Sequence, residues 1–246
     1  MTGPQRRYRE RIYGRYVEAA GAEVAPATLA GLAPRLPYLA RLVRRHFPRR
    51  MDAAILDFGC GHGALLHVAR SMGYINIGGI DGSPSQVEAA QRLGIDGVRY
   101  GDMFEVVRAL PDCGLDAAIS FDVIEHLDRD EILAFTDEIV RVLKPGGRWI
   151  VHVPNGASPF AGAALYSDLT HEMAFTAESV TQLALSSGFS AVEFAEDEPV
   201  AHGLKSALRL VAWRAIRAAL RFYLRAETGA VGHPVLTQNF LAVLTK

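Results

Sequence analysis

The sequence has few cysteines and no long uncharged stretch. Cys60 and Cys113 are its two cysteines, too few for a disulfide framework and without metal-ligand spacing. No apolar run reaches the roughly 18 residues that a membrane-spanning helix needs, and the arginine-rich beginning of the chain is not followed by the apolar core of a signal peptide. We therefore expect a cytoplasmic protein, with any membrane contact limited to the inner surface.

Lysine is absent from residues 1–50, which contain 11 Arg and 3 Glu. This part of the chain therefore carries a charge of +8, whereas the remainder carries -9. Nucleic acid is not the expected partner, because the segment lacks the mixed Lys, Gly and aromatic pattern of an RNA-binding surface and the overall net charge is only -1. A phosphorylated small acceptor or an anionic membrane surface fits this charge distribution.

Short apolar runs alternate with amphipathic stretches after residue 50, in a chain of 246 residues that is half hydrophobic. Buried strands are predicted at 53–58, 75–80, 115–121, 149–153, 189–194 and 235–244. Helices are predicted at 62–71, 85–93, 129–143, 176–187 and 204–225. Alternating strands and helices predict an α/β fold, a doubly wound and mainly parallel sheet with helices on both faces.

Two segments stand apart from this alternation. Residues 1–50 contain helical pieces broken by prolines and are expected to form a lead-in or lid, with the main domain at 51–246. The stretch 154–175 is rich in Pro, Asn, Gly and Ser, and long irregular loops in compact domains are usually functional. We expect this insertion to contact the substrate.

The helix predicted at 204–225 has a basic stripe. Lys205, Arg209, Arg217, Arg221 and Arg225 are spaced by four residues or multiples of four, with Arg214 beside them. A solvated face of a packed helix explains such a stripe. Contact with anionic lipid is the alternative, so a peripheral membrane partner stays open.

A glycine-rich loop follows the first predicted strand, at Asp57-Phe58-Gly59-Cys60-Gly61-His62-Gly63. Its glycines permit a sharp turn and let a ligand approach main-chain N–H groups. With Ala64 the loop also matches the dinucleotide fingerprint G-x-G-x-x-G/A, which keeps an NAD enzyme open. However, the carboxylate of Asp57 would repel a pyrophosphate and attract an ammonium group.

Taken with four later segments, this loop resembles the cofactor motif of class I S-adenosylmethionine-dependent methyltransferases. The later segments occur in the family's order at Asp81-Gly82, Gly101-Asp102-Met103, Phe121 to His126 and Leu143 to Gly147, so the resemblance covers residues 55–154. It implies a Rossmann-like seven-stranded sheet of order 3-2-1-4-5-7-6 with an antiparallel seventh strand. It also implies S-adenosylmethionine as cofactor and S-adenosylhomocysteine as product.

The resemblance further implies which residues contact the cofactor. In chain order, these are Tyr13 in a lid helix, Asp57, Gly59, Cys60, Gly61, Gly63, Asp81, Gly82, Asp102, Met103 and Phe121. Tyr8 and Tyr16 lie near Tyr13 in the same segment.

Three further residues are candidates for catalysis. Methyl transfer to a hydroxyl needs an aligned acceptor and a base within hydrogen-bond reach. His171 lies in Asp168-Leu169-Thr170-His171-Glu172, similar to a pattern of bacterial glycan-modifying methyltransferases, and is our first choice of base. The pair Glu125-His126 resembles ubiquinone-pathway O-methyltransferases. A purely structural role is the alternative for both histidines.

Asp122, Glu125 and His126 also offer oxygen and nitrogen ligands to a divalent cation. Their spacing is too loose to define a metal site, so none is assigned. His152, within a predicted strand, is expected to be a core residue.

The sequence therefore predicts an S-adenosylmethionine-dependent O-methyltransferase that acts on a sugar hydroxyl of a glycan, nucleotide sugar or lipid-linked precursor. A small aromatic or quinone acceptor is the second hypothesis, and a protein that binds the cofactor without catalysis is the third. No oligomeric state is predicted.

Overall fold

The computed structural model describes Ile12, residues 25–229 and residues 234–246. Its centre is a seven-stranded sheet of order β3-β2-β1-β4-β5-β7-β6. The strands are β1 (Ile55–Phe58), β2 (Ile77–Asp81), β3 (Val98–Tyr100), β4 (Leu115–Phe121), β5 (Leu143–Pro154), β6 (Ala191–Glu196) and β7 (Asn239–Thr245). All pairs are parallel except those of β7, which runs antiparallel to β5 and β6. The predicted fold class, strand order and antiparallel last strand are confirmed.

Helices cover both faces of this sheet. They are α1 (Leu36–His46), α2 (Ala64–Ser71), α3 (Pro84–Leu93), α4 (Met103–Ala109), α5 (Arg129–Val142), α6 (Ala161–Leu165), α7 (Ala177–Ser187) and α8 (Leu204–Thr228), with 3-10 turns at Leu29–Leu32 and Ile124–His126. None of the described helices has both the length and the hydropathy needed to cross a bilayer.

The predicted bounds differ from the observed ones where local pattern is ambiguous. β4 begins and ends as predicted, and five of its seven residues are buried. β5 begins at Leu143 rather than 149, since Leu143 pairs with Leu115 ahead of a register shift. Helix α4 was not predicted, and the 154–175 insertion contains the short helix α6.

Helix α1 belongs to the core, which corrects the prediction that residues 1–50 form only a lead-in. Leu39, Leu42 and Val43 are buried in the cluster that also contains α2 and one face of the sheet. The prolines of this region suggested broken helix, but Pro37 lies in the first turn of α1, where a missing N–H costs nothing.

Parallel pairing brings the carboxyl ends of β1 to β5 to one edge of the sheet. Because β5 and β6 are both antiparallel to β7, they are parallel to each other, and Glu196 at the end of β6 lies at this edge too. Open α/β sheets bind ligands at this edge. The candidate site is therefore built from the segments that follow these strands.

Candidate active site

The glycine-rich loop is held by the end of β2. The N–H groups of Gly59 and Cys60 donate to the carbonyl of Ile80 at 2.8 and 3.0 Å. The N–H of Gly61 donates to Oδ2 of Asp81 at 2.7 Å. These three donors are thus engaged inside the protein, which corrects the expectation that the loop offers its N–H groups to a ligand.

The glycines of this loop serve different purposes. Gly59 has a φ of +77°, and a Cβ there would lie 2.4 Å from Cγ2 of Val123, so this glycine lets the loop after β4 approach. Gly61 has a φ of +55°, and the nearest atom to its Cβ position is Oε1 of Gln86 at 3.6 Å. Gly61 therefore leaves an open surface that a ligand can cover, whereas Gly63 permits close packing inside the fold.

Asp57 is buried in β1 rather than placed in the loop. Among the described residues its Oδ1 has no hydrogen-bond partner. Burial, and secondarily the charge of Asp81, raise the pKa of Asp57 to about 8. An unpartnered buried carboxyl is costly, and a cationic group placed beside it would stabilise the ionised form. The residue thus fits the ammonium of S-adenosylmethionine.

The remaining cofactor candidates lie along the same edge. Asp81 accepts from the N–H of Ser83 at 2.8 Å as well as from Gly61, and a carboxylate has further lone pairs for ribose hydroxyls. Gly82 has no atom within 4 Å of its Cβ position. Asp102 caps α4 by accepting from the N–H groups of residues 104 and 105, and Met103 is partly buried.

Two predicted contacts differ from expectation or lie outside the described chain. The side chain of Cys60 packs under the loop, where a Cβ on Gly79 would lie 2.5 Å from its sulfur. Burial raises the pKa of this thiol, so its sulfur serves packing, and contact of Cys60 with the cofactor stays a prediction. Tyr13, with Tyr8 and Tyr16, lies outside the described residues.

The three catalytic candidates converge in space. Ligand atoms of Glu125, His126 and His171 all lie within 4.8 Å of one another, although 45 residues separate the last two in sequence. The imidazole rings are 4.7 Å apart between centroids. The segment after β4 and the 154–175 insertion thus share one polar cluster, which we call the Glu-His-His cluster.

Hydrogen bonds fix the protonation of both imidazoles. Nδ1 of His171 lies 3.2 and 3.1 Å from the carbonyl oxygens of Ala164 and Leu165, so it must carry a proton. Nδ1 of His126 lies 2.8 Å from the hydroxyl of Thr170, which itself donates to Asp168. Nδ1 of His126 is therefore a donor too. In the neutral form each ring has its lone pair on Nε2.

Glu125 is the buried member of this cluster. Neither of its carboxyl oxygens has a hydrogen-bond partner among the described residues. Burial, followed by the charge of Asp122, raises its pKa to about 8. Burial also lowers the pKa of His126, with the neighbouring His171 as the next cause. At neutral pH Glu125 is therefore mainly protonated and His126 mainly neutral.

The same cluster could hold a divalent cation. A carboxylate with two imidazoles is a ligand set of catalytic zinc sites. It differs from the set considered in the sequence, because His171 takes the place of Asp122. The carboxylate of Asp122 instead accepts a hydrogen bond from His152.

His152 was expected to be a core residue, and it is buried, but it also forms an ionic link that the sequence did not predict. Its Nδ1 and Nε2 lie 2.5 and 3.1 Å from carboxylate oxygens of Asp122 and Asp197. Its ring stacks on Phe121, with centroids 4.0 Å apart. Burial alone would lower the pKa of His152, but the two carboxylates outweigh it and raise the pKa to about 9.

Comparison with known proteins agrees with this geometry. Residues 56–151 match the family described as methyltransferase domain. A "probable S-adenosylmethionine-dependent methyltransferase" of Mycolicibacterium smegmatis is 32% identical over 142 residues, which are 55% of this chain and 51% of that protein. The ubiquinone biosynthesis O-methyltransferase of Rickettsia bellii is 28% identical over 49% of this chain and 50% of its own length. Other relatives are described as N- or O-methyltransferases.

A solved structure shares the fold. The crystal structure of a methyltransferase from Archaeoglobus fulgidus, described as dependent on S-adenosylmethionine, has a TM-score of 0.66, covers 86% of this chain and 94% of its own, and is 22% identical. The sheet order, the loop at 57–63 and the match of residues 56–151 to the methyltransferase-domain family make this chain similar to class I S-adenosylmethionine-dependent methyltransferases. The chain spans about half the length of the curated relatives it matches.

Proposed function

We propose that this protein transfers the methyl group of S-adenosylmethionine to a hydroxyl of a sugar, within a glycan, a nucleotide sugar or a lipid-linked precursor. The observation that carries the proposal is His171, whose Nδ1 is held by two backbone carbonyls so that Nε2 is the basic nitrogen. In this scheme the acceptor oxygen attacks the methyl carbon, the carbon–sulfur bond breaks, and Nε2 of His171 takes the hydroxyl proton. Glu125 and His126 border the place where the hydroxyl would lie.

The 154–175 insertion supports a sugar as acceptor. Phe160 and Tyr166 on this segment are strongly exposed, at 63% and 84%, and the apolar faces of sugar rings pack on such rings. Carboxylates of Asp168 and Glu172 flank His171 in sequence and can accept hydrogen bonds from sugar hydroxyls.

A small aromatic or quinone acceptor is the second candidate. It is favoured by the Rickettsia bellii relative, whose name places it in ubiquinone biosynthesis. The exposed rings of Phe160 and Tyr166 could also stack on a flat acceptor.

The two candidates are separated by an acceptor panel. The protein is incubated with labelled S-adenosylmethionine and, in parallel, nucleotide sugars, glycans, phenols, quinols and amines. Label on a sugar oxygen supports the proposal. Label on a phenol, a quinol or an amine while every sugar fails would contradict it. Turnover of any acceptor would exclude a protein that only binds the cofactor.

A further inference from the structure

Helix α8 presents an apolar stripe to solvent. Leu204, Leu208, Val211 and Phe222 are 79%, 63%, 65% and 74% exposed. Their spacing of four, three and eleven residues places them on one side of a helix that turns by about 100° per residue. The opposite side contains the half-buried residues Leu210, Trp213, Arg217, Leu220 and Leu224, which face the body of the protein. The stripe is thus the outer face of the helix.

Basic residues border this stripe on both sides. By the same helical geometry, Lys205 and Arg209 lie along one border and Arg214 and Arg225 along the other. Of the six basic residues on α8, Arg217 and Arg221 point inward to the carboxylate of Glu196, at 3.6 and 2.8 Å. The basic residues noted in the sequence therefore form two groups. Arg217 and Arg221 pair with Glu196 inside the protein, and the other four border the exposed stripe.

Acidic residues are almost absent from the helix. Glu227 near its end is the only one between 204 and 228. Two copies of the chain packed through this stripe would bring arginines against arginines without counter-charges, which is unfavourable. Apolar side chains flanked by Lys and Arg are instead the pattern of helices that lie in the plane of an anionic bilayer.

We infer that α8 docks this protein on an anionic lipid membrane, with the 204–222 stripe inserted between headgroups and the bordering basic residues against lipid phosphates. The helix begins after β6, at the sheet edge that holds the candidate active site, so docking would bring that edge close to the membrane. The inference does not depend on the methyl acceptor or on methyl transfer.

Vesicle co-sedimentation tests the inference. The whole protein is mixed with vesicles of phosphatidylcholine alone or with added phosphatidylglycerol, at low and high salt. We expect binding to the anionic vesicles, weakening with salt, and little binding to phosphatidylcholine alone. The double variant Leu208→Glu with Phe222→Glu should lower the affinity for anionic vesicles by about tenfold or more, because two large apolar side chains lose their burial.

Two controls keep the result interpretable. Ile75→Glu introduces the same kind of change at an apolar residue that is 75% exposed beside the amino end of β2, and it should bind vesicles like the wild type. Binding of S-adenosylhomocysteine by each variant reports that the fold is intact. Absence of vesicle binding by the wild type would overturn the inference, as would equal binding by the double variant. A wild-type dimer that the double variant converts to a monomer, without vesicle binding, would assign the stripe to a second copy of the chain.

Discussion

Nε2 of His152, on β5, lies 3.1 Å from the carboxylate of Asp197, the residue that directly follows β6. The other ring nitrogen contacts Asp122, which directly follows β4 and has a φ of +57°. One buried imidazolium thus ties together the loops after β4 and β6, across β5. Because α8 follows the loop that contains Asp197, the contacts of His152 connect the sheet edge at the candidate site with the segment that leads into α8.

Replacing His152 should destabilise the protein in a pH-dependent way. The pKa in the fold, about 9, is above the ordinary 6.5, so the ionic contribution is complete below pH 6.5, declines as pH rises and is lost above about 9. We expect His152→Gln to lower the free energy of unfolding by about 3 kcal/mol near pH 6, with a smaller difference above pH 9. Urea unfolding at several pH values measures this difference in the free energy of unfolding. His202→Gln, at an exposed histidine, is the control. A pH-independent difference would show that His152 contributes by packing alone.

Asp57 should couple cofactor binding to pH. Its pKa of about 8 in the protein means that binding a cationic ligand near neutral pH must remove a proton from the carboxyl. Affinity for S-adenosylmethionine should therefore rise from about pH 6 to about pH 7.5, by up to about tenfold per unit. Asp57→Asn should bind more weakly and lose this dependence. Calorimetry in buffers of different ionisation enthalpy counts the released proton, and a wild type that releases none would contradict the role of Asp57.

The same carboxyl should reduce the stability of the protein without ligand as pH rises. Its raised pKa favours the protonated form in the fold. Stability is therefore lost between about pH 4 and pH 8, where the carboxyl ionises readily in the unfolded chain but not in the folded protein. The melting temperature of Asp57→Asn, compared with that of the wild type, should improve across this range. Thermal scans without ligand measure the difference, and a constant difference would argue against a buried ionisable Asp57.

Two glycine substitutions should separate folding from cofactor binding. Gly59→Ala forces a Cβ against Val123 in addition to its strained φ, so we expect a marked loss of stability. Gly61→Ala adds a methyl group to an open surface, so the stability loss should be limited to backbone strain of about 1 kcal/mol. The free energy of binding S-adenosylhomocysteine should weaken by more than this loss of stability. Thermal unfolding and calorimetry on both variants distinguish these effects. Unchanged affinity in Gly61→Ala would remove that surface from the cofactor site.

His171 should act on turnover and not on cofactor binding. With the acceptor identified, His171→Ala should lower kcat by about 10²- to 10⁴-fold, the usual contribution of a general base, and leave the affinity for S-adenosylhomocysteine unchanged. His202→Ala is the matched control. Assays are repeated after dialysis against EDTA and with added Mn²⁺. Activity that requires the cation would make the Glu-His-His cluster a metal site and contradict a free base at His171.

The sequence predicted the features of the fold that depend on the local pattern of apolar residues and on the order of motifs along the chain. The sheet order came from the resemblance, and the bounds of β4 matched the prediction because five of its seven residues are buried, a clear strand pattern. The cluster of His126 with His171 could be anticipated only as two separate motifs, because their contact depends on how the 154–175 insertion folds back.

Other features depend on contacts that no local pattern shows. The N–H groups of Gly59 and Cys60 are taken by Ile80 on another strand, so their availability could not be judged from the loop alone. His152 was correctly expected to be buried, yet its charge depends on Asp122 and Asp197, which are 30 and 45 residues away. Nothing near His152 in sequence marks it as ionised.

Calorimetric titration of the folded wild-type protein with S-adenosylhomocysteine tests the central claim most directly. Asp81→Ala is the comparison, because Asp81 accepts a hydrogen bond from the loop at Gly61 and is the predicted ligand of the ribose. The result expected is one binding site per chain, weakened strongly by Asp81→Ala. No detectable binding by the folded wild type would contradict the claim.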